Sequence, residues 1–268
     1  MRADTIMARA SRGEPLRDVA IIDAHAHLGV SQRVHTNAGD AEGLLVSMDR
    51  IGIRRTCLSS LQAIAGDTRR GNEAVAEAVR RFPSRFVGYG VVNPNEPEAV
   101  AGELRRCLDD LGLWAIKLHP SWHGYSADGP AYLPVWQELN ARGGTVLSHT
   151  FGPLRALREL CGRYPRVTFI AAHLGGSYEG RQPDELPRLL REVPNLYVDL
   201  SSSVVPYGGI EALVAAAGAE RLLYGSDAPY GDSAHQLGRI THAEISEVDK
   251  RSILGGNMAR LLGGIAPA

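Results

Sequence analysis

Eight short apolar runs recur along the chain, and their spacing is the feature that most limits which fold it can adopt. Their carboxyl ends lie about 24 to 35 residues apart, which leaves room after each run for a helix and two loops. Parallel strands require crossover connections of that length. The predicted strands are residues 19–25, 56–60, 86–93, 115–119, 145–149, 167–173, 196–201 and 222–227. Eight such units favour an α/β fold of the (β/α)8 TIM-barrel type, with an open doubly wound sheet as the alternative.

The segments between these runs are predicted to be helices that belong to one domain. The stretches "GNEAVAEAVRRF" and "EAVAGELRRCLDDLG" carry apolar residues at helical spacing. We find no linker that would divide the chain. We therefore predict a single barrel domain over residues 19–268, preceded by a polar leader over residues 1–18 that is partly ordered at best.

The charge and apolar patterns exclude several classes of partner. The 29 Lys+Arg balance 30 Asp+Glu, and no basic stripe follows the chain, so we expect no nucleic-acid partner. The leader is too polar for a signal peptide, and no apolar run is long enough to span a membrane. Three widely spaced cysteines without a CxxC motif are typical of a reduced, cytoplasmic protein. A small-molecule substrate is the expected partner, and a homodimer is compatible with the sequence.

Side chains that can bind a metal or carry a proton stand at five of the eight strand ends. They are His25 and His27 in the first strand, Lys117 and His119 in the fourth, His149 in the fifth, His173 in the sixth and Asp227 in the eighth. Catalytic residues of (β/α)8 barrels lie at these ends. His25 and His27 are two residues apart, so both point the same way on a strand. One histidine near an apolar run is more often a hydrogen-bonded core residue, and only the shared placement favours a site.

These donors predict a catalytic metal centre. Imidazole nitrogens and a carboxylate oxygen suit zinc or a similar divalent ion. We predict one such ion, bound by His25, His27, His149 and Asp227, with one coordination position open for water. The expected ion is Zn²⁺, with Mn²⁺ or Co²⁺ as alternatives. His173 is then the predicted acid/base beside that water, and Asp227 takes part in the proton transfer.

At this point the chain resembles the amidohydrolase superfamily, in the amidohydrolase-related branch that includes aminocarboxymuconate-semialdehyde decarboxylase. The resemblance rests on "IIDAHAHLG", "AIKLHP", "VLSHT", "FIAAHLGG", "LLYGSDAPY" and "ILGGNMARLLG", which together span nearly the whole predicted barrel. It implies a metal-dependent TIM barrel of the hydrolase type. It also implies that His25, His27, His149 and Asp227 bind the metal and that His173 is catalytic.

The remaining candidates concern the substrate. Lys117 either holds a substrate carboxylate, pairs with Asp227, or is carboxylated and bridges two metal ions, as the resemblance implies for other branches. His119 shares a strand face with Lys117, so it either lines the pocket or supports it from behind. The loops after the strands add further substrate-binding candidates, chiefly Trp122, Arg33 and Tyr178, with His35, His123, Tyr125, Arg181 and Tyr230 beside them.

We therefore expect a metal-dependent hydrolase that activates water to cleave a small amide, lactone or ester. The main alternative is metal-dependent, non-oxidative decarboxylation of a small unsaturated or aromatic carboxylic acid, which would make the enzyme a lyase. A third alternative, a non-catalytic barrel that binds a metabolite, conflicts with five intact site residues: His25, His27, His149, His173 and Asp227.

Overall fold

Eight parallel strands form one sheet in the computed structural model, which describes residues 5–30, 39–176, 185–201 and 205–263. Each strand pairs with the next one along the chain. The strands are β1 (Ile21–Leu28), β2 (Ile53–Ser60), β3 (Phe86–Val91), β4 (Ala115–Leu118), β5 (Thr145–Ser148), β6 (Thr168–Ala171), β7 (Leu196–Asp199) and β8 (Leu222–Leu223).

The sheet closes where β1 meets the chain at and after β8. The Ala24 amide donates to the Tyr224 carbonyl at 2.9 Å, and the His27 amide donates to the Ala228 carbonyl at 2.6 Å. Ala26 and Ala228 form a parallel bridge between the two segments. The fold is therefore a (β/α)8 TIM barrel, which confirms the predicted fold and excludes the open sheet.

Every strand differs from its predicted bounds by one or more residues, and two of these differences affect the site. β1 continues to Leu28, so both of its histidines lie within the strand. β8 has only two residues, because the Tyr224 amide turns away to bond the Ile253 carbonyl at 2.9 Å. Asp227 therefore lies in the segment after β8.

Helices connect the strands, as the spacing predicted. They are α1 (Ile6–Ser11), α2 (Ala41–Ile51), α3 (Leu61–Ile64), α4 (Thr68–Arg81), α5 (Pro97–Arg105), α6 (Pro120–His123), α7 (Leu133–Arg142), α8 (Leu154–Arg163), α9 (Ala172–Gly176), α10 (Glu185–Glu192), α11 (Gly209–Ala217), α12 (Ser233–Thr241), α13 (Glu247–Arg251) and α14 (Asn257–Leu262). Short π-helical turns follow α5 (Arg106–Asp110) and α13 (Ser252–Gly256), and a 3₁₀ turn (Pro130–Tyr132) precedes α7. Across the described ranges, no helix is both long and apolar enough to cross a bilayer.

Local chemistry explains where several helices begin. The carboxylates of Asp40, Asp67 and Asp232 accept backbone N–H groups at the first turns of α2, α4 and α12. The short α1 lies within the polar leader, where its Ile6 side chain is buried and its amide donates to Glu247 at 2.9 Å. The division between leader and barrel stays a prediction.

The core has two layers that alternate along each strand. Inside the barrel lie apolar side chains that include Ile22, Ala24, Cys57, Val87, Tyr89, Ala115, Leu147, Ile170 and Leu223. Between strands and helices lies the larger layer, which includes Leu58, Ile116, Val146, Phe169 and Val198. Because strand side chains alternate, this sorting shows which polar residues face the barrel interior.

Candidate metal centre and active site

The alternation brings polar side chains from distant strands to one end of the barrel. In β4, Ala115 packs inside and Ile116 outside, so Lys117 faces the interior. In β7, Val198 packs outside, which turns Asp199 inward. Lys117 and Asp199 are both completely buried.

An irregularity in β1 brings its two histidines to the same place. The register of β1 against β2 shifts between Asp23 and Ala26. Ala24 packs inside the barrel, whereas Ala26 packs outside. The shift therefore changes the alternation and turns His25 and His27 inward together.

Asp227 reaches the histidines through a left-handed backbone turn. Its φ is 57°, and its amide donates to the His25 carbonyl at 2.7 Å. The neighbouring Ser226 is held by the buried Asp23 carboxylate, which accepts its amide at 2.9 Å and its hydroxyl at 2.5 Å. Burial raises the pKa of Asp23 to about 7, against the opposing effect of these hydrogen bonds. Asp23 thus ties β1 to the segment that carries Asp227.

Three of the four predicted metal ligands lie together. Oδ1 of Asp227 is 3.0 Å from Nε2 of His27 and 3.4 Å from Nε2 of His25. The donor atoms of all three residues lie within 4.8 Å of one another. Two imidazoles and a carboxylate that converge from two segments fit a divalent metal ion. Among the described residues, His149 is not part of this group of three close donors.

The electrostatics keep His27 and Asp227 in the forms that bind cations. Burial lowers the pKa of His27 to about 4, although its hydrogen bond to Asp227 opposes the shift. Burial alone would raise the pKa of Asp227, but the hydrogen bond from His27 and the nearby imidazoles hold it below its usual range. Neutral imidazole and ionised carboxylate are the forms that ligate metals.

His149 and His173 form a second group beside the first. Nδ1 of His149 is 3.1 Å from Nε2 of His173, and Nδ1 of His173 is 2.9 Å from the Ser201 hydroxyl. His173 follows β6 in a left-handed turn with a φ of 54°. Burial lowers the pKa of His149 to about 2 and that of His173 to about 4. Both imidazoles are therefore neutral near pH 7.

Asp199 is a site residue that the sequence did not reveal. Its Oδ2 is 2.9 Å from Nδ1 of His25, and its Oδ1 accepts the Ser201 hydroxyl. Charge and hydrogen bonding from His25 hold the pKa of Asp199 below its usual range, although burial opposes this. The available signal was a carboxylate at an inward position at the end of a predicted strand.

His25, His173 and Asp199 offer atoms within 4.8 Å of one another, as a metal site would. The Ser201 hydroxyl lies within hydrogen-bond distance of all three. We therefore interpret this group as a hydrogen-bond cluster that supports the site.

Lys117 places its ammonium group against the metal donors. Its Nζ donates to Nε2 of His25 at 2.7 Å. Burial lowers the pKa of Lys117 to about 8, with Asp227 and Asp199 opposing the shift. The described hydrogen bond of Lys117 is thus to a histidine, and carboxylation of Lys117 stays an untested alternative.

Aromatic rings form one side of the site. The His119 ring stacks on His149 with centroids 4.1 Å apart, and its Nδ1 accepts the Trp122 amide at 3.4 Å. The half-buried Trp122 ring lies 5.1 Å from His119 and meets Tyr230 edge-on at 6.3 Å. The Tyr230 hydroxyl is buried and has no hydrogen-bond partner among the described residues.

Two of the predicted substrate-binding residues, Arg33 and Tyr178, lie outside the described residues, as do His35 and Arg181. The loop candidate His123 is buried, and its ring nitrogens contact the Tyr132 hydroxyl and the Ile64 carbonyl. His123 thus packs within the fold instead of lining the site.

Curated proteins similar to this chain are decarboxylases. Gamma-resorcylate decarboxylase from Polaromonas sp. (strain JS666) is 26% identical over 280 residues, which cover 80% of this chain and 84% of that protein. 2-Amino-3-carboxymuconate-6-semialdehyde decarboxylase from Dictyostelium discoideum is 26% identical over 233 residues, which cover 72% of this chain and 65% of that protein.

A solved structure shows the same fold. It is 5-carboxyvanillate decarboxylase from Novosphingobium aromaticivorans DSM 12444, in complex with manganese and 4-hydroxy-3-methoxy-5-nitrobenzoic acid. The TM-score is 0.74 at 17% identity, over 91% of this chain and 96% of the other. At this identity the likeness concerns the fold.

These comparisons correct the predicted reaction. The expectation of a hydrolase is wrong, because the similar curated proteins are decarboxylases, and decarboxylation was the stated alternative. The physical reason for the error is that one set of histidine and aspartate ligands serves both reactions, so the ligands do not distinguish them. The close donor atoms of His25, His27 and Asp227 support a divalent metal ion at the site, and nothing in the comparisons favours zinc over other ions.

The family itself is shown by a sequence model that covers almost the whole barrel. The model for the family described as amidohydrolase matches residues 22–264. This range contains every polar residue described above at the end of the barrel. The chain belongs to the amidohydrolase family, in the amidohydrolase-related branch that includes aminocarboxymuconate-semialdehyde decarboxylase.

Proposed function

We propose that the protein is a metal-dependent decarboxylase of a small aromatic or unsaturated carboxylic acid. The observation that carries this proposal is the buried Lys117 ammonium, which lies 2.7 Å from His25 in the group of metal donors. A cation at this position suits an anionic substrate, and the similar curated proteins remove a carboxyl group from acids of this kind.

His25, His27 and Asp227 would hold the ion, and we propose His149 as the fourth ligand. When bound there, a divalent ion supplies positive charge that orients and polarises the oxygen atoms of an anionic substrate. We propose Mn²⁺ in preference to Zn²⁺, because a decarboxylase structure with the same fold contains manganese. The donor set accepts either ion.

The chain supplies the other requirements of the reaction. Loss of CO₂ requires a proton on the carbon that bears the carboxyl group. The carbon–carbon bond then breaks, its electron pair returns to the unsaturated system, and CO₂ leaves. We assign the delivery of this proton to His173, whose Nε2 takes up a proton from solvent and passes it to the carbon, and the attraction of the carboxylate to the ammonium of Lys117.

The aromatic side of the site supports a flat substrate. The centroid of the Trp122 ring lies 5.1 Å from that of His119 and 6.3 Å from that of Tyr230. Such rings pack well against a planar conjugated acid. The cytoplasmic location and the homodimer remain predictions from the sequence.

The test pairs each candidate acid with its own methyl ester. Metal-free protein is reconstituted with Mn²⁺ or Zn²⁺ and incubated with 2,6-dihydroxybenzoate, 5-carboxyvanillate and the methyl ester of each. We expect CO₂ from at least one acid or from a related unsaturated acid, in proportion to bound metal, and no methanol from the esters. Methanol from an ester without CO₂ from any acid would contradict the proposal.

A further inference from the structure

We propose that Asp199 is a positioning residue that fixes the tautomers of two histidines with different roles, His25 and His173. Its two carboxylate oxygens begin two branches of hydrogen bonds, one to His25 and one through Ser201 to His173. Oδ2 accepts from Nδ1 of His25 at 2.9 Å. Oδ1 accepts the hydroxyl of Ser201, whose oxygen lies 2.9 Å from Nδ1 of His173.

The direction of these hydrogen bonds follows from what each group can donate. An ionised carboxylate only accepts, so Nδ1 of His25 must carry the proton that it shares with Asp199. The Ser201 hydroxyl uses its single proton on Asp199, so toward His173 it can only accept. His173 therefore carries its proton on Nδ1 as well.

Both histidines then present a lone pair on Nε2. For His25 this atom faces Lys117 at 2.7 Å and Asp227 at 3.4 Å, which is the metal side of the site. For His173 it faces Nδ1 of His149 at 3.1 Å. Because Nε2 of His173 accepts there, His149 must donate from Nδ1 and carry its own lone pair on Nε2. The chain of hydrogen bonds thus extends from Asp199 to the fourth proposed ligand.

Asp199 also holds the backbone that presents His173. Its Oδ1 accepts the amide of His173 at 3.1 Å and the amide of Ser201 at 3.0 Å. His173 has a positive φ, which a residue with a side chain adopts at some cost unless its surroundings hold it. Asp199 and Ser201 are almost completely shielded from water, so solvent does not replace these bonds.

Gly225 leaves the space that His25 and Asp199 need to lie side by side. A Cβ at Gly225 would lie 3.1 Å from Cβ of His25 and 3.3 Å from Cβ of Asp199. These distances are tighter than ordinary contacts between side-chain carbons. The absence of a side chain at Gly225 allows His25 and Asp199 to approach each other.

Two variants separate the branches. Asp199→Asn places an amide donor in the cluster and disturbs both branches, so we expect metal affinity to fall by about 10- to 100-fold, as for other groups that orient metal ligands. Ser201→Ala breaks the His173 branch and a 3.3 Å contact with Nδ1 of His25, but it leaves the bond between His25 and Asp199. Metal affinity should therefore fall less than in Asp199→Asn, and kcat should fall. Ser201→Thr, which keeps the hydroxyl, should restore kcat. Ser60→Ala is the matched control, because Ser60 is a buried serine at a strand end that caps α3.

The decisive measurement is the tautomer of His173 in metal-free protein with ¹⁵N-labelled histidine. Long-range ¹H–¹⁵N spectra distinguish a proton on Nδ1 from one on Nε2, and comparison with His173→Asn assigns the signal. We expect Nδ1–H in the wild type and in Ser60→Ala, and a shift toward Nε2–H in Ser201→Ala.

Three results would overturn the inference. They are Nε2–H for His173 in the wild type, unchanged metal affinity in Asp199→Asn, and equal loss of metal affinity in Ser201→Ala and Asp199→Asn. The kcat expectation rests on the proposed decarboxylation, but the tautomer and the metal affinity are measured without substrate. If the decarboxylase proposal fails, these two measurements still decide the role of Asp199.

Discussion

The two sides of the barrel mouth differ in charge. On the side of β1, β7 and β8, carboxylates accompany the imidazoles: Asp199 bonds His25, and Asp227 bonds His27. On the side of β4, β5 and β6 lie Lys117 and an aromatic stack in which the rings of His119 and His149 are 4.1 Å apart. The first side suits a cation, and the second suits a flat anion.

The positions of the lysines support this division between a cation side and an anion side. Among 29 basic residues the sequence has two lysines, Lys117 and Lys250, and both are buried. Lysine presents a compact ammonium on a flexible stem, whereas arginine presents a wide planar fork. At Lys117 the compact group reaches His25 inside a barrel end that is crowded with imidazole rings. Lys117 therefore joins the two sides, because it extends from the anion side to a metal donor.

The largest expected effect comes from removing the carboxylate that the metal donors share. Asp227→Asn should abolish stable metal binding and with it the activity, because an amide lacks the charge that holds a divalent ion. Elemental analysis after dialysis measures the bound metal. Asp232→Asn is the matched control, since asparagine also caps a helix well and Asp232 caps α12. Full metal content in Asp227→Asn would show that the metal does not bind on the carboxylate side.

The next effect tests the proton carrier. His173→Asn should keep the metal and lower kcat by about 10²- to 10⁴-fold, which is the usual contribution of a positioned acid or base. His235→Asn, on the exposed surface of α12, controls for the substitution itself. Loss of metal from His173→Asn as complete as from Asp227→Asn would make His173 a ligand. Wild-type kcat at full metal occupancy would assign the proton to another group.

The fold was predictable from the sequence because strand and helix spacing follow from local patterns. All eight strands were expected, and the fold prediction is confirmed. Less was predictable at strand ends, where side chains and distant backbone compete for hydrogen bonds. β8 stops after two residues, for example, because Tyr224 bonds Ile253.

The site was only partly predictable, for two physical reasons. Histidines at strand ends can be recognised in the sequence. Asp199 acts through His25, which is 174 positions away in sequence, and no local pattern indicates that contact. The second reason is that ligand chemistry does not specify the reaction. A hydrolase was therefore the wrong expectation, because what decides the reaction is how the substrate and the proton are placed beside the same ligands.

The anion side is tested next by removing its charge. Lys117→Met should raise KM for a carboxylate substrate by about 10- to 100-fold, the range that a loss of about 1.5–3 kcal/mol for a charged hydrogen bond implies. Metal content should remain, because the proposed ligands are untouched. Lys250→Met makes the same change at the other buried lysine, which bonds the Thr241 carbonyl at 2.9 Å. Metal loss in Lys117→Met with unchanged KM would instead favour a carboxylated lysine as a ligand.

The smallest expected effect concerns the aromatic side. Tyr230→Phe removes a buried hydroxyl that has no hydrogen-bond partner in the described parts of the chain, while the ring that faces His27 and Trp122 remains. A buried polar group without a partner is destabilising, so thermal stability should stay equal or rise slightly. If substrate supplies the partner, KM should rise by about 3- to 10-fold, which corresponds to one neutral hydrogen bond of about 0.5–1.5 kcal/mol. Thermal unfolding and steady-state kinetics on the same preparations measure both quantities. Lower stability with unchanged KM would show that the hydroxyl serves the fold, and the flat substrate would then be held by ring contacts and by Lys117 alone.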